Sequence, residues 1–320
     1  MARHRGRQMS VETAGPSRAA RQDAFFQALC FSAAMVLMAT LAGLLVALVI
    51  GGWPALAHFG PKFFISAAWD PVAEDYGAAG PIVGTLVTAG LAMVMALPLA
   101  VGIAVFLVEF CPSVLARYVS MAVELLAGIP SIVYGMWGLF VLAPWFALHV
   151  QLPLFYVVDP DSFWGHLFEG IPNGANIFTA AMILAIMVLP YIATVLRELL
   201  LSVPTHVREA AYGMGCTPYE VVSKIMLPYI RRSAIGAVML GLGRALGETM
   251  AVTFIIGNSH EFPRSLFASG STIASTIANE FAEASSDLHV SALLALGLVL
   301  FVITFAALVG ARLLIGREKA

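Results

Sequence analysis

An all-α polytopic membrane protein with six transmembrane helices is the fold class this sequence predicts, on three observations. Hydrophobic residues fill 60% of the 320 positions and charged residues only 11%, too few charges to keep a soluble domain of that length dispersed. Six apolar runs, at 28–50, 82–108, 119–142, 174–196, 233–257 and 290–311, reach the ~20 residues that a helix needs to cross the bilayer core. The remaining charges are sorted between alternate loops, as the positive-inside rule requires.

The elements follow in chain order. Residues 1–24 are polar and basic without apolar period and read as a disordered cytoplasmic tail. Residues 25–51 hold the first apolar run, too long for a cleaved secretory segment and expected as a membrane anchor. Residues 52–81 form an outer loop, and 82–315 a transmembrane domain containing an inner loop at 203–228. Every lysine and arginine except Lys62, Arg264 and Arg244 falls in the tail, the C-terminus or an inner loop, where Arg117, Arg197, Arg208, Lys224, Arg231 and Arg232 lie. Both termini are therefore expected in the cytoplasm. The outer loops carry acids instead, with Arg264, Asn279 and Glu280 as candidate contacts for an outer partner. The five tryptophans fall on the outer side, where an interfacial aromatic belt is expected. Cys30, Cys111 and Cys216 match no metal spacing and read as small buried residues.

The inner loop is too patterned for a linker. Pro204 suits the first turn of a short helix reaching about Met214, and Gly215 suits a left-handed end to it. Thr217, Pro218 and Glu220 then form an N-cap, a first helical position and a capping box. Val221, Val222, Ile225 and Met226 fall largely on one side of this second helix. The loop therefore presents either a docking surface or a hairpin packed on its own domain.

Inside the fifth run, "GLGRALGETMAV" (241–252) holds two charges. Arg244 lies eleven residues beyond Ser233, about 16 Å deep at 1.5 Å per residue. A charge there costs roughly 2.5–3.5 kcal/mol. On a continuous helix Glu248 shares its face and is expected to pair with it. Ala237, Gly241 and Ala251 would leave room on that face for water or a ligand, while Gly243 and Gly247 would admit another helix. The site is either a buried ion pair that fixes register or a permeation site, in which the planar guanidinium suits an oxyanion. Glu124, near the start of the third run, reads as a snorkelled or hydrogen-bonded carboxylate. Ser131, after Pro130 in "GIPS", is a weaker candidate for the path, beside a helix bend.

The 209–228 segment "EAAYGMGCTPYEVVSKIMLP" resembles the signature of ABC importer permeases: Glu209, Ala210, Ala211, Gly215, Ile225, Leu227 and Pro228 stand at the family's positions without departure. The stretches "ELLAGIPSIVYGMWGLFVLAP", "GLGRALGETMAVTFIIGN" and "TIASTIANEF" resemble the phosphate permeases of PstC type, from about residue 60 onward. The resemblance implies a type I importer permease fold and a coupling loop that seats on a cytoplasmic ATPase dimer. It also implies a second homologous permease and a periplasmic phosphate-binding protein; membrane lipids surround the chain and no nucleic-acid partner is expected. Sulfate, molybdate, a PstA-type role and proton-coupled secondary transport remain as alternatives. The chain holds no G-x-x-x-x-G-K-[ST] and no H-E-x-x-H, so no catalytic residue, metal or cofactor is assigned to it; ATP and magnesium would bind the partner ATPase.

Overall fold

A computed structural model describes residues 18–159 and 161–316. It divides into two units, Met1–Leu48 and Val49–Ala320. Among the described residues, six helices are long and apolar enough to cross a membrane: Phe25–Phe59, Ala79–Phe110, Ser131–Val157, Ile177–Leu201, Pro218–Leu246 and Asp287–Leu313.

The first unit holds most of α1, Arg18–Phe59. Helix already begins at Arg18, so only 1–17 of the expected disordered tail lies outside the described residues. Nor does α1 stop at residue 51; it continues through Pro54. The helix is apolar on every side, with Phe25, Phe31, Val36, Leu37 and Ile50 exposed. A lipid surround asks for this pattern and water does not.

In the second unit, α2 (Ala79–Val105) ends in a π-helical turn, Phe106–Phe110. It packs along α5 (Ile177–Leu201) through a stripe of alanines, Ala89, Ala92, Ala96, Ala100 and Ala104, all buried in the core to which α5 contributes Ile183, Leu184, Met187, Ile192, Leu196 and Leu200. Small side chains let the two backbones approach closely, which is how helices gain van der Waals contact without a hydrophobic drive. The third apolar run is not one helix. Amphipathic α3, Ser113–Ala127, ends at Gly128, and the spanning helix α4 starts at Ser131 and reaches Val157 with two π-helical stretches. The extended backbone at Pro130 separates them, because the ring disfavours helix at the residue before it.

After α5 come α6 (Thr205–Gly213) and α7 (Pro218–Leu246), the latter with a π-helical turn at Val221–Met226. Next are short α8 (Met250–Thr253), α9 (Ile273–Glu280) and α10 (Asp287–Gly316). At the end of the unit away from α6, strands β1 (Trp69–Asp70) and β2 (Asp75–Tyr76) pair antiparallel. There the 257–272 segment folds back onto the start of α5: Ile177 N–H donates to Ala268 O at 3.2 Å and Phe178 N–H to Leu266 O at 3.0 Å. A second core of Phe63, Tyr76, Ile273, Leu293 and Leu296 closes that end.

Candidate functional site

The decisive departure from the sequence reading lies in α7. Its helix stops at Leu246, capped by Gly247, and α8 begins only at Met250. Arg244 and Glu248 therefore do not share a helix face, and no ion pair joins them among the described residues. Each serves a helix end instead. Arg244 sits in the last turn of α7, against the negative end of its dipole, with its guanidinium carbon 5.7 Å from the Tyr191 ring centroid. A Glu248 carboxylate oxygen accepts the Ala251 N–H at 3.4 Å at the start of α8.

The break lies at mid-depth. Tyr191 is fourteen residues from the start of α5 and ten from its end, about 21 Å and 15 Å of helix. Hydroxyls and an amide satisfy part of the irregular backbone: Thr249 Oγ1 donates to Gly247 O, Thr253 Oγ1 to Thr249 O and Asn258 Nδ2 to Thr253 O. Non-helical backbone at membrane depth is tolerated where protein or a polar cavity surrounds it, and transporters use such discontinuous helices to build their sites.

The small residues are used differently from the expectation. Ala237 and Gly241 are buried, and a Cβ on Gly241 would meet Ile192 at 2.6 Å, so that side of α7 packs on α5 and leaves no space for a ligand. Ala251 is likewise buried, its Cα 3.1 Å from a Cβ built on Gly135. That contact sets α8 against the first turns of α4, where Ser131 lies one turn before Gly135. Ser131 is thus brought to the same region as the break, and no hydrogen bond links it to Arg244 or Glu248 among the described residues. Among the described residues, a Cβ built on Gly243 would meet nothing within 4 Å and one on Gly247 only the Gly243 carbonyl oxygen at 3.5 Å. Glu124, exposed on α3, lines a surface cavity with Arg117, Arg197 and Ser120.

The inner loop follows its local sequence closely. Gly215 has φ +86°, and Thr217 and Glu220 form the capping box, with Thr217 N–H donating to Glu220 Oε2 at 3.0 Å. Packing divides the docking and hairpin alternatives between different residues. Val221, Val222 and Met226 are buried in the chain's own core, whereas the exposed apolar groups are Met214 (77%) and Tyr219 (76%) beside the turn. Glu209, Ala210 and Gly215 are exposed, Ala211 is buried, and Ile225 and Leu227 pack against the core.

Two clusters escaped the sequence reading. Glu109 in the last turn of α2 accepts from Arg208 Nη2 at 2.7 Å and from the Tyr212 hydroxyl. Its sequence signal was a lone acid at the end of a long apolar run. At the opposite end Glu280 lies between His260 (3.3 Å) and His289 (3.5 Å), with Trp69 stacked on His260 and Tyr76 on His289. Glu280 is therefore engaged within the chain rather than free for a partner, and Trp69 belongs to this cluster rather than to an aromatic belt. Burial holds the His260 pKa below its ordinary value, against the opposing pull of Glu280. Arg264 remains exposed, beside Glu169 and Glu261 in a surface cleft. Cys30 is exposed and the other two cysteines are partly exposed, contrary to the buried expectation.

Residues 79–319 match the family described as binding-protein-dependent transport system inner membrane component. The chain is 50% identical over 303 residues to the phosphate transport system permease protein PstC of Mesorhizobium japonicum, covering 95% of this chain and 93% of that one. It is also 50% identical to PstC of Haemophilus influenzae, over 89% of this chain and 90% of the other.

The chain belongs to the PstC type of this permease family.

Solved structures agree on the fold. A bacterial alginate ABC transporter, in complex with an alginate-bound periplasmic protein, matches with TM-score 0.59 at 15% identity, covering 91% of this chain and 93% of that one. The inward-facing methionine ABC transporter MetNI matches with TM-score 0.55 at 16% identity, over 74% of this chain and 94% of that one. The fold is that of type I ABC importer permeases, and the PstC-type chain is a multi-pass inner-membrane protein.

Proposed function

We propose that this chain is the permease subunit of an ATP-driven importer that moves inorganic phosphate across the inner membrane. The observation that carries the reading is Arg244: a guanidinium at the mid-depth break of a discontinuous helix, with no carboxylate partner among the described residues. Its fork of donors fits a tetrahedral oxyanion, and the PstC name of the half-identical relatives narrows the oxyanion to phosphate. Ser131 and Glu248 flank the same break.

The remaining parts follow from this reading. Both termini and the loop 203–228 face the cytoplasm, where Glu209, Ala210, Ala211, Gly215, Ile225, Leu227 and Pro228 shape the surface that couples to a separate ATPase dimer. A second homologous permease completes the path, and a periplasmic phosphate-binding protein delivers substrate to the opposite end. The chain itself performs no covalent chemistry.

The test is radiolabelled phosphate uptake by the complete assembly in vesicles, with ATP hydrolysis followed alongside. Arg244→Gln is expected to stop uptake and spare hydrolysis, while a Glu209/Gly215 double substitution loses both. Normal transport by Arg244→Gln would sink the assignment of the path. Preferential uptake of sulfate or molybdate would sink phosphate as the substrate, and uptake without an ATPase would sink the ATP-driven class.

A further inference from the structure

We infer that Glu109 is the positioning residue that ties the docking helix α6 to the second span, making α2 the rod that carries movement of the loop to the opposite face of the membrane domain. The inference rests on the function proposed above. It begins with burial: the Glu109 side chain is 6% exposed, and that of Arg208 23%. The two carboxylate oxygens are divided, Oε2 accepting from Arg208 Nη2 at 2.7 Å and Oε1 from the Tyr212 hydroxyl. Arg208 and Tyr212 are four apart, so both prongs leave one face of α6. Ala211, on that same face, is buried. The opposite face, with His206, Glu209, Ala210 and Gly213, is exposed and free to meet a partner. The family signature residues Glu209 to Ala211 are thus framed by the two donors that hold the helix to its own chain.

Chain connectivity does not provide this link. Turn Ser202 to Pro204 joins α6 to α5, and the turn after Gly213 joins it to α7; α2 lies about a hundred residues earlier in sequence. A two-pronged, charge-assisted contact fixes orientation as well as distance. The other end of α2 is anchored too. Thr85 Oγ1 accepts the Ile273 N–H at 2.9 Å at the start of α9, and the Gly84 Cα lies so close to the Ser271 carbonyl that a Cβ would overlap its oxygen. Between these anchors α2 lies along α5 on the alanine stripe. A helix held at both ends transmits a displacement of one end to the other, whereas a frayed end would absorb it.

The experiment compares wild type, Glu109→Gln, Arg208→Lys and the exchange Glu109→Arg/Arg208→Glu in the complete assembly in vesicles. It reads phosphate taken up per ATP hydrolysed and, separately, the melting temperature of each complex. Glu109→Gln keeps the shape and one acceptor but loses the charge. It is expected to leave hydrolysis near the wild-type rate and to lower uptake per ATP by roughly 5- to 150-fold, the usual range of coupling between sites. The exchange is expected to recover part of that ratio. A ratio unchanged in Glu109→Gln overturns the inference, as does a fall of uptake and hydrolysis in parallel with the melting temperature, which marks a brace without a coupling role. Wild-type uptake of sulfate in place of phosphate would overturn the phosphate reading alone, and the Glu109 comparison then runs with sulfate as the probe.

Discussion

Gly215 offers the sharpest test of how the 203–228 loop is built. Its φ of +86° lies in the left-handed region, and a Cβ placed there would meet nothing within 4 Å. The penalty of Gly215→Ala is therefore purely conformational, about 1–2 kcal/mol for an L-residue in that region. That corresponds to a roughly 5- to 30-fold loss of the closed turn relative to its open form. Two backbone bonds depend on the turn: Gly215 N–H donates to Tyr212 O at 2.9 Å and Cys216 N–H to Ala211 O at 3.1 Å. The assay is amide hydrogen exchange of the segment 211–217 in the purified assembly. Gly215→Ala is expected to accelerate exchange by that factor, and Gly215→Asn by much less, since asparagine tolerates the left-handed conformation. Equal acceleration by both, or none by alanine, would refute the conformational account and leave side-chain exclusion by a partner as the reason for glycine.

Other expectations follow from the same geometry. Gly84→Ala forces a Cβ into the Ser271 carbonyl oxygen, a backbone atom that cannot swing aside; a loss of about 1–3 kcal/mol is expected, read as a lower melting temperature, and unchanged stability would show that α2 shifts freely. Glu248→Gln keeps an acceptor for the Ala251 N–H and loses only the charge beside a helix end, so stability should change by about 0.3–1 kcal/mol. A loss near 3–5 kcal/mol would instead reveal a broken buried ion pair. His260 gives a pH dependence of known sign. Its folded-state pKa is depressed below the ordinary 6.5, so the unfolded chain binds the proton more readily as pH falls. Its contribution is complete above about 6.5 and is lost as pH drops from there through the folded value. Thermal unfolding between pH 7.5 and 5 should show this loss in wild type and less of it in His260→Gln; identical profiles would refute it.

The inner loop was legible because its determinants are local. Gly215 and the Thr217–Glu220 box act through backbone conformation and hydrogen bonds within four residues, so spacing alone placed them. Span number was legible for a similar reason, since bilayer thickness acts on each apolar run separately. The helix ends were less so: Pro130 split the third run, and α1 continued through Pro54.

The charged pair in span five shows where local reasoning ended. Four-residue spacing promised an Arg244–Glu248 contact only while the helix continued, and Gly243, Gly247 and Thr249 gave no clear sign that it would not. The break holds because α8 seats on Gly135 of α4 while Gly241 packs on Ile192 of α5, contacts between residues separated by 49 and 116 positions. Arg208, the partner of Glu109, is likewise distant, 99 positions along the sequence. By itself the sequence determined what the solvent and the backbone impose at short range: six membrane spans, a capped loop at 203–228, and an arginine within an apolar span in need of compensation. Tertiary structure alone decided how those charges are compensated, because a buried side chain takes whichever donor or helix end the packing brings within reach, and packing of small residues across α2, α4, α5 and α7 is set by the whole fold at once.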